Sequence, residues 1–344
     1  MDLLTARQLW TLDSVWLNTA QYGIPPRCAH QVLGRAMEAW RTGTGDPADW
    51  GAAAAEARRR FAALVGSTPA DVAQGTTTSQ LVGMVAGSLP DGARVVVPEG
   101  DYTSAVFPWM AQADRGVRVR VVPLAGLADA VDDGTDVVAF SLVQSATGEV
   151  SPVKDVLSAA ARHGALTVTD ATQAAGWLPM DATRFDAVVC SAYKWLMAPR
   201  GLAYAHLSPR LRSRLRPISA GPAAAVDPMG SFYTSRMELA DDARRFDVAP
   251  NWFAAVAAAE SMRVLQEVGP EAVRTHNVAL ADRFLDRLGL PPAGSPIVTV
   301  AVPGAGERLR AAGVRAAERD GRTRLAFHLY STEDHADLAA KALS

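Results

Sequence analysis

Ala187-Val-Val-Cys-Ser-Ala-Tyr-Lys-Trp-Leu-Met-Ala-Pro-Arg-Gly-Leu-Ala-Tyr204 is the stretch of sequence on which the prediction of the fold depends. It contains two apolar runs, with Lys194 and the turn-forming Pro199-Arg-Gly201 between them. Short apolar runs bounded by turn residues are typical of buried strands. We therefore predict a buried strand, a turn that carries Lys194, and a second buried strand.

Lys194 is notable because lysine is rare in this chain. Of the 34 basic residues only Lys154, Lys194 and Lys341 are lysines, and the others are arginines. A lysine at the end of a buried strand loses hydration, which lowers the pKa of its amine and makes it a nucleophile toward carbonyl groups. We predict this role for Lys194; the alternative is a surface lysine that closes a strand.

The composition is that of an ordinary globular protein: 344 residues, 49% hydrophobic and 20% charged, with a formal net charge of −2. This charge predicts no nucleic-acid or anionic-membrane partner. No apolar run reaches the ~18 residues of a membrane span, and no signal-peptide pattern is found. Two cysteines, Cys28 and Cys190, fit a reducing compartment, so we expect a cytoplasmic protein. The histidines have no metal-binding spacing, and we predict no metal site.

Strand and helix patterns alternate between residues 94 and 191. This rhythm is typical of an α/β fold with a large, mostly parallel sheet covered by helices on both faces, where ligands bind beyond the carboxyl ends of the strands. The predicted strands are 94–98, 117–122, 136–143, 166–170 and 186–191, and the predicted helices between them are 104–113 and 153–163.

After about residue 209 the alternation stops. Helix patterns at 251–268 and 271–288 and strand patterns at 297–302 and 323–330 predict a smaller α+β domain. We divide the chain into an N-terminal arm that joins the small domain, a large α/β domain and a small C-terminal α+β domain. Their predicted bounds are 1–30, 31–250 and 251–344.

Two motifs leave strands of the large domain. Thr76-Thr77-Thr78-Ser79 precedes a predicted helix, and a helix N-terminus offers free N–H groups that bind phosphate. Asp170 ends a buried strand, where its carboxylate can hold a cationic ring nitrogen. Each motif alone is better explained as a helix cap or a turn. Their order along one alternating domain, followed by Lys194, favours a ligand site.

At these residues the chain resembles a known family. Asp170-Ala-Thr-Gln173, Ser191-Ala-Tyr-Lys-Trp-Leu196 and Val143-Gln-Ser-Ala-Thr-Gly148 resemble motifs of the class V aminotransferase superfamily. This group includes cysteine desulfurases, kynureninase and isopenicillin N epimerase, and its members have the fold-type I architecture and use pyridoxal 5'-phosphate (PLP). The resemblance covers nearly the whole chain and is weaker in the small domain.

The resemblance implies roles for individual residues. Lys194 would form the internal aldimine with PLP and then move the Cα proton of the substrate. Asp170 would keep the pyridine nitrogen protonated, and Arg324 would bind the substrate carboxylate. The remaining residues that the resemblance implies for cofactor binding are Thr76, Thr77 and Ser191 at the phosphate, Tyr193 beside it, Tyr102 stacked on the ring, and Gln173 and Ser145 near the ring hydroxyl.

The chain also departs from the family pattern. No cysteine follows Cys190, although desulfurases carry a nucleophilic cysteine in the small domain, so a persulfide-forming desulfurase is disfavoured. Ser145 replaces an asparagine of desulfurases, which favours the epimerase-like and kynureninase-like branches. Ala249 replaces a threonine that contacts the phosphate of the partner subunit in relatives, so this residue does not predict such a contact.

The predicted function is a PLP-dependent enzyme that acts on a small-molecule α-amino acid, with β-elimination of the carbon–sulfur lyase type favoured. Transamination, epimerisation and kynureninase-like hydrolysis remain open, because all of them use the same lysine. The alternative from another class is a phosphate-binding module without catalysis. The resemblance also implies a homodimer, to which Trp195, Trp252 and Phe253 would contribute if they are exposed.

Overall fold

The computed structural model describes all 344 residues. The helices are α1 Leu3–Arg7, α2 Arg27–Thr42, α3 Pro47–Leu64, α4 Thr78–Ser88, α5 Thr103–Met110, α6 Val153–His163, α7 Pro209–Arg212, α8 Trp252–Val268, α9 Pro270–Arg287, α10 Ala305–Ala311 and α11 Glu333–Leu343. The strands are β1 Val15–Trp16, β2 Val72–Gly75, β3 Arg94–Pro98, β4 Arg118–Val122, β5 Val137–Ser141, β6 Leu166–Asp170, β7 Ala187–Ser191, β8 Ala203–Leu207, β9 Ile297–Val300, β10 Val314–Arg315, β11 Ala317–Arg319 and β12 Arg322–Ala326. No helix is both long enough and apolar enough to cross a membrane.

The large sheet contains seven strands in the order β2-β8-β7-β6-β5-β3-β4. The five strands from β7 to β4 are parallel, and β8 is antiparallel to both of its neighbours. The mostly parallel sheet predicted from the sequence is therefore confirmed. Because parallel strands end at the same edge, the residues that follow β5, β6 and β7 lie side by side.

The central strands are buried on both faces. In β5, Val138 and Phe140 contribute to one apolar cluster and Val137 and Ala139 to the other, as the two-residue period of a strand requires. One cluster contains side chains of α3, α6 and α8, and the other contains side chains of α4 and α5. Helices thus cover both faces, which explains the continuous hydrophobic runs of these strands.

The smaller sheet has the order β11-β12-β9 and is antiparallel. The N-terminal arm forms a separate two-stranded parallel sheet, in which β1 pairs with β10. The arm touches the antiparallel sheet through a bridge between Asn18 and Ala326 of β12. Helix α8 packs mainly against α2 and α3, and α9 packs against α11. The fold class is as predicted, whereas the division of the chain at residue 250 stays a prediction.

The last predicted strand, 323–330, is too long. Strand β12 ends at Ala326, and the chain then forms a buried turn in which the Ser331 N–H donates to the His328 carbonyl oxygen (2.8 Å). The side chain of Ser331 accepts a hydrogen bond from the His328 N–H (3.1 Å). His328 and Tyr330 therefore belong to this turn and not to a strand. Every side chain from Phe327 to Ser331 is buried, and a fully buried turn has the same apolar sequence character as a buried strand.

Candidate active site

A cavity of about 320 Å³ lies at the edge of the sheet where β6 and β7 end. Most of the residues around it are polar. It brings together all the predicted cofactor-binding residues, namely Thr76, Thr77, Tyr102, Ser145, Asp170, Gln173, Ser191, Tyr193 and Lys194. The first two precede α4. Asp170 and Ser191 are the last residues of β6 and β7, and the others follow β3, β5, β6 and β7.

Lys194 is 5% exposed at the turn that follows β7. Burial lowers the pKa of its amine to about 8, and the nearby carboxylate of Asp170 opposes this shift. Its Nζ lies 4.9 Å from the centroid of the Tyr102 ring, and Tyr102 itself is 45% exposed at the start of α5. The Tyr193 ring also lies near this amine, with its centroid 5.7 Å from Nζ, so the buried amine has two aromatic rings beside it.

We expect this pKa to control how fast the amine attacks a carbonyl group. With a pKa of about 8, roughly one quarter of the amine is neutral at pH 7.5, against about a thousandth for an ordinary lysine. The rate at which the apoprotein binds PLP should therefore rise with pH to a midpoint near 8. Stopped-flow absorption between pH 6.5 and 10.5 measures it, and a midpoint near 10.5 would contradict the burial of the amine.

Asp170 ends β6 and is 7% exposed. Burial raises the pKa of its carboxyl to about 6, although the Thr172 N–H donates to Oδ1 (2.7 Å) and thereby opposes the shift. The cationic amine of Lys194 also favours the charged form of this carboxyl. A buried carboxylate that has one backbone donor is suited to accept a hydrogen bond from a further cationic group.

A cluster of hydroxyl groups surrounds the N-terminus of α4. The Thr78 N–H donates to Ser191 Oγ (3.2 Å), and the hydroxyl groups of these residues are 2.9 Å apart. Thr172 joins them, with its Oγ1 3.2 Å from Thr78 Oγ1 and accepting the Ser191 N–H (3.0 Å). Thr77 caps the helix by accepting the Gln80 N–H (3.1 Å). Free helix N–H groups and several hydroxyl donors together form a typical anion site.

Gln173, Ser145 and Arg324 form a hydrogen-bonded chain on the other side of the cavity. Gln173 Nε2 donates to Ser145 Oγ (3.0 Å) and to the Ala20 carbonyl oxygen (3.0 Å). Arg324 Nη1 donates to the carbonyl oxygen of Ser145 and to its Oγ (3.3 Å). Since Ser145 Oγ accepts from both neighbours, its own O–H remains available to donate to a ligand.

Arg324, on β12, is 1% exposed and does not line the cavity directly. Its Nε has no hydrogen-bond partner, and no carboxylate pairs with the guanidinium. Burial lowers the pKa of this group to about 10. A buried arginine without an acidic partner is costly, which is typical of a residue that receives the negative charge of a ligand.

Trp195 and His328 hold the turn that carries Lys194. Trp195, which would contribute to a dimer contact only if exposed, is 1% exposed and belongs to the core. Its Nε1 donates to Gln173 Oε1 (2.8 Å), and its ring stacks on His328 at 5.3 Å. His328 Nδ1 accepts the Leu329 N–H (2.7 Å), so its Nε2 carries the proton and donates to the Trp195 carbonyl oxygen (3.0 Å). Burial lowers the pKa of His328 to about 4, which keeps it neutral.

Gly23 of the N-terminal arm lies directly against the same turn. Its N–H donates to the Tyr193 carbonyl oxygen (2.9 Å), and a Cβ at this position would overlap the carbonyl oxygen of Lys194. Met197, in the left-handed conformation with φ of 54°, completes the turn, and Ser261 Oγ donates to its carbonyl oxygen (3.2 Å). At position 23, only glycine leaves room for the backbone of Lys194.

We therefore expect Gly23→Ala to displace Lys194. Overpacking of this kind costs about 1–3 kcal/mol of stability, and we expect at least a ~10-fold loss of PLP affinity. Thermal unfolding and absorption titration with PLP measure both effects. Gly34→Ala in α2 is the matched control, because a Cβ there meets nothing within 4 Å and alanine favours the helix. Equal behaviour of the two variants would show that the close approach has no consequence.

Seven residues that line the cavity were not among the predicted site residues: Thr78, Ser79, Ser104, Ser141, Thr172, Arg200 and Gly201. All except Ser104 and Ser141 lie within motifs that were recognised, so proximity to those motifs was the available signal. Which threonines face the cavity depends on the direction of α4 and on the turn after β6. Arg200 lies in the Pro199-Arg-Gly201 turn, where the pattern indicated only a change of direction.

The family model described as Aminotransferase class-V matches residues 39–301. The chain is a member of the class-V aminotransferase family. It is therefore a PLP-dependent enzyme, a lyase or an aminotransferase, and not a phosphate-binding module without catalysis.

Comparisons with individual proteins agree with this assignment. Isopenicillin N epimerase from Streptomyces clavuligerus is 29% identical to this class-V enzyme over 336 residues, which cover 84% of this chain and 83% of that protein. A cysteine desulfurase from Thermococcus onnurineus NA1 superimposes with a TM-score of 0.84 at 17% identity, covering 96% and 93% of the two chains. The cystine C–S lyase C-DES superimposes with a TM-score of 0.86 at 18% identity, covering 96% and 98%. The two structural matches show the fold.

The residues of this class-V enzyme fit the cofactor. Lys194 supplies a buried amine with a lowered pKa, and Asp170 supplies a carboxylate at the strand end. The hydroxyl groups of Thr78 and Ser191 lie at the N-terminus of α4, where a phosphate group is favoured. Arg324 holds an unpaired positive charge suited to the carboxylate of an amino acid.

Proposed function

We propose that this enzyme catalyses β-elimination from an α-amino acid that carries a sulfur substituent on Cβ. The Cα proton moves to Lys194, the Cβ–S bond breaks, and its electron pair leaves with sulfur as a thiolate. Water converts the released 2-aminoacrylate to pyruvate and ammonia. When bound, PLP supplies an electron-accepting ring that stabilises the negative charge left on Cα.

Four residues would hold and tune the cofactor. Lys194 Nζ would hold the cofactor through its carbonyl carbon and, once the substrate amine has displaced it, would be free to accept the Cα proton. Asp170 would accept a hydrogen bond from the ring nitrogen and keep it cationic. Ser145, whose hydroxyl proton is available, would donate to the ring oxygen, and Gln173 orients Ser145. In this arrangement Gln173 acts through Ser145, because both of its N–H groups are already used within the protein.

Arg324 would bind the substrate carboxylate. Its unpaired Nε and its lack of an acidic partner leave a fork of donors for two carboxylate oxygens. Because Arg324 contacts Ser145, its charge would lie on the side of the cavity that faces the ring oxygen of the cofactor. Binding the carboxylate there orients Cα toward Lys194, and the positive charges of the two residues influence each other.

We base the choice of β-elimination with release of free sulfur on the position of the cysteines. Cys190 is buried within β7, and its pKa is raised by burial, while Cys28 lies in α2; neither lines the cavity. A thiolate nucleophile that would take sulfur from the substrate is therefore missing from the cavity. If a carbon–sulfur bond is broken, sulfur has to leave as a free product, and Lys194 is the one amine placed to move the proton.

The experiment is a product screen with the holoenzyme. L-cysteine, L-cystine and S-alkylcysteines are incubated with it, pyruvate is measured with lactate dehydrogenase, and free thiol is measured with Ellman's reagent. Equal amounts of pyruvate, ammonia and thiol or persulfide would support β-elimination. Accumulation of pyridoxamine phosphate and an α-keto acid would instead establish transamination. Exchange of Cα hydrogen in D₂O with inversion, and without pyruvate, would establish epimerisation.

We further propose that the enzyme is a homodimer. Trp252 and Phe253 are half-buried and pack against Trp50, with ring centroids 5.4 Å apart in both cases, so they offer little free surface for a dimer contact. A different segment supports the proposal, because apolar side chains cluster between residues 218 and 237 without cover. They are Ile218, Val226, Met229, Phe232, Tyr233 and Met237. Exposed apolar patches of this kind mark interfaces.

Light scattering after size-exclusion chromatography tests the dimer. We expect the mass of two chains for the wild type, and a shift toward one chain when Phe232 and Tyr233 are both replaced by glutamate. Leu4→Glu, at an exposed apolar side chain outside the segment, is the control and should not change the mass. A wild type with the mass of one chain at micromolar concentration would contradict the proposal.

A further inference from the structure

We propose that Arg200 neutralises the phosphate group of the cofactor, a role that complements the hydroxyl groups at the N-terminus of α4. The inference rests on the assignment of that helix end as the phosphate site. The hydroxyl cluster of Thr78, Thr172 and Ser191 provides neutral donors only. A phosphate monoester carries close to two negative charges at neutral pH, and an arginine is the side chain best suited to pair with it.

The sheet topology places Arg200 next to this helix end. Strands β2 and β8 are antiparallel, with Gly75 paired to Ala203. Strand β2 runs out of this pair directly into Thr76 and Thr77, and β8 is entered from the Pro199–Gly201 turn. Both segments therefore leave the same end of the same strand pair. Arg200 lines the cavity together with Thr76 to Ser79.

The same topology separates Arg200 from Arg324. In the order β2-β8-β7-β6-β5, Arg200 and the N-terminus of α4 lie on one side of Lys194, which follows β7. Ser145 follows β5 on the other side, beyond Asp170, and Arg324 contacts it there. The two arginines therefore serve opposite ends of the cavity, and Arg324 is not in a position to take the phosphate.

Arg200 is held in place but has no acidic partner. Its guanidinium carbon lies 4.4 Å from the centroid of the Tyr193 ring, and no carboxylate lies within ion-pair distance. Asn251 Nδ2 donates to its carbonyl oxygen (3.4 Å), and the φ of 94° at Gly201 turns the chain into β8. A cation–π contact orients the arginine without neutralising it. Its positive charge remains available to an anion.

The test compares two cofactor forms that differ only in the phosphate. Dissociation constants of PLP and of pyridoxal are measured by absorption titration of the apoprotein, for the wild type, Arg200→Met and Arg200→Lys. We expect Arg200→Met to weaken PLP by about 10- to 100-fold while it leaves pyridoxal affinity within about 2-fold. Arg200→Lys should recover part of the loss. Arg274→Met, at an exposed arginine of α9 that forms no ion pair, is the matched control.

Phosphorus NMR of the bound cofactor provides a readout that is independent of activity. An adjacent guanidinium keeps the phosphate dianionic, so its signal should stay constant between pH 5.5 and 8 in the wild type and titrate in Arg200→Met. Equal losses for PLP and pyridoxal, or no loss for either, would overturn the role of Arg200. The assignment of the site itself would instead be overturned by two results together. The wild type would bind PLP no better than pyridoxal, and borohydride would not fix PLP onto Lys194.

Discussion

Lys194→Ala is expected to abolish turnover while the protein remains folded. The residue supplies both the amine that attaches the cofactor and the base that moves the Cα proton, so the loss in kcat/KM should reach at least about 10⁴-fold. Treatment of the wild type with borohydride should fix the cofactor onto Lys194, where peptide mass spectrometry detects it. The variant should show no fixed adduct and no visible absorption band that borohydride removes.

The scarcity of lysine gives this experiment a matched control. Lys154 and Lys341 are the other two lysines and both are exposed, so Lys154→Ala should keep full activity and the adduct. The variant at position 194 should not be less stable at neutral pH, because the wild type buries an amine whose pKa is lowered to about 8. An adduct on any other residue, or unchanged turnover by Lys194→Ala, would contradict the assignment.

The sign of this stability effect can be worked out. Burial lowers the pKa of Lys194 in the folded protein below the usual 10.5, to about 8. The neutral side chain is therefore favoured by folding at high pH, and this contribution is lost as the pH falls through 8. In the absence of the cofactor, the stability of Lys194→Ala relative to the wild type should rise as the pH falls from 10.5 to 7.

Arg324→Met is expected to give the second largest loss of kcat/KM. The loss should come from weaker use of the substrate and not from weaker binding of the cofactor. Removing one partner of a buried hydrogen-bonded charge pair costs about 2–5 kcal/mol, which corresponds to roughly 30- to 5,000-fold in kcat/KM. Since the carboxylate contact orients Cα toward Lys194, we expect kcat to fall as well as KM to rise. PLP affinity should stay near that of the wild type, because Arg324 lies behind Ser145.

Two further measurements separate this role from a structural one. Arg324→Met replaces a buried guanidinium without an acidic partner by an apolar side chain, so thermal stability of the apoprotein should be unchanged or raised. Arg322→Met, at an exposed arginine of the same strand, should leave both kinetic constants unchanged. If Arg324→Met unfolds the protein or loses PLP in parallel with activity, Arg324 supports the fold and does not bind the substrate.

The sequence by itself was sufficient for the fold class and for nine of the residues that meet in the cavity. A parallel sheet reads as continuous apolar runs, and its ligand residues follow the ends of those runs, so Asp170 and Lys194 were both found from local patterns. The motif around Lys194 has an unusual composition in a chain with three lysines. These signals are local, because each depends on one strand and the few residues after it.

Contacts between distant segments depend on the tertiary structure. Trp195 is buried by Gln173 and His328, and Gly23 meets the backbone of Lys194 from the N-terminal arm; none of these approaches leaves a local pattern. The position of Arg200 beside the N-terminus of α4 follows from the antiparallel pairing of β2 with β8, which joins residues more than 120 positions apart. Local periodicity in the sequence indicates which face of a helix or strand is buried. Which other element packs against that face is determined only by the tertiary structure.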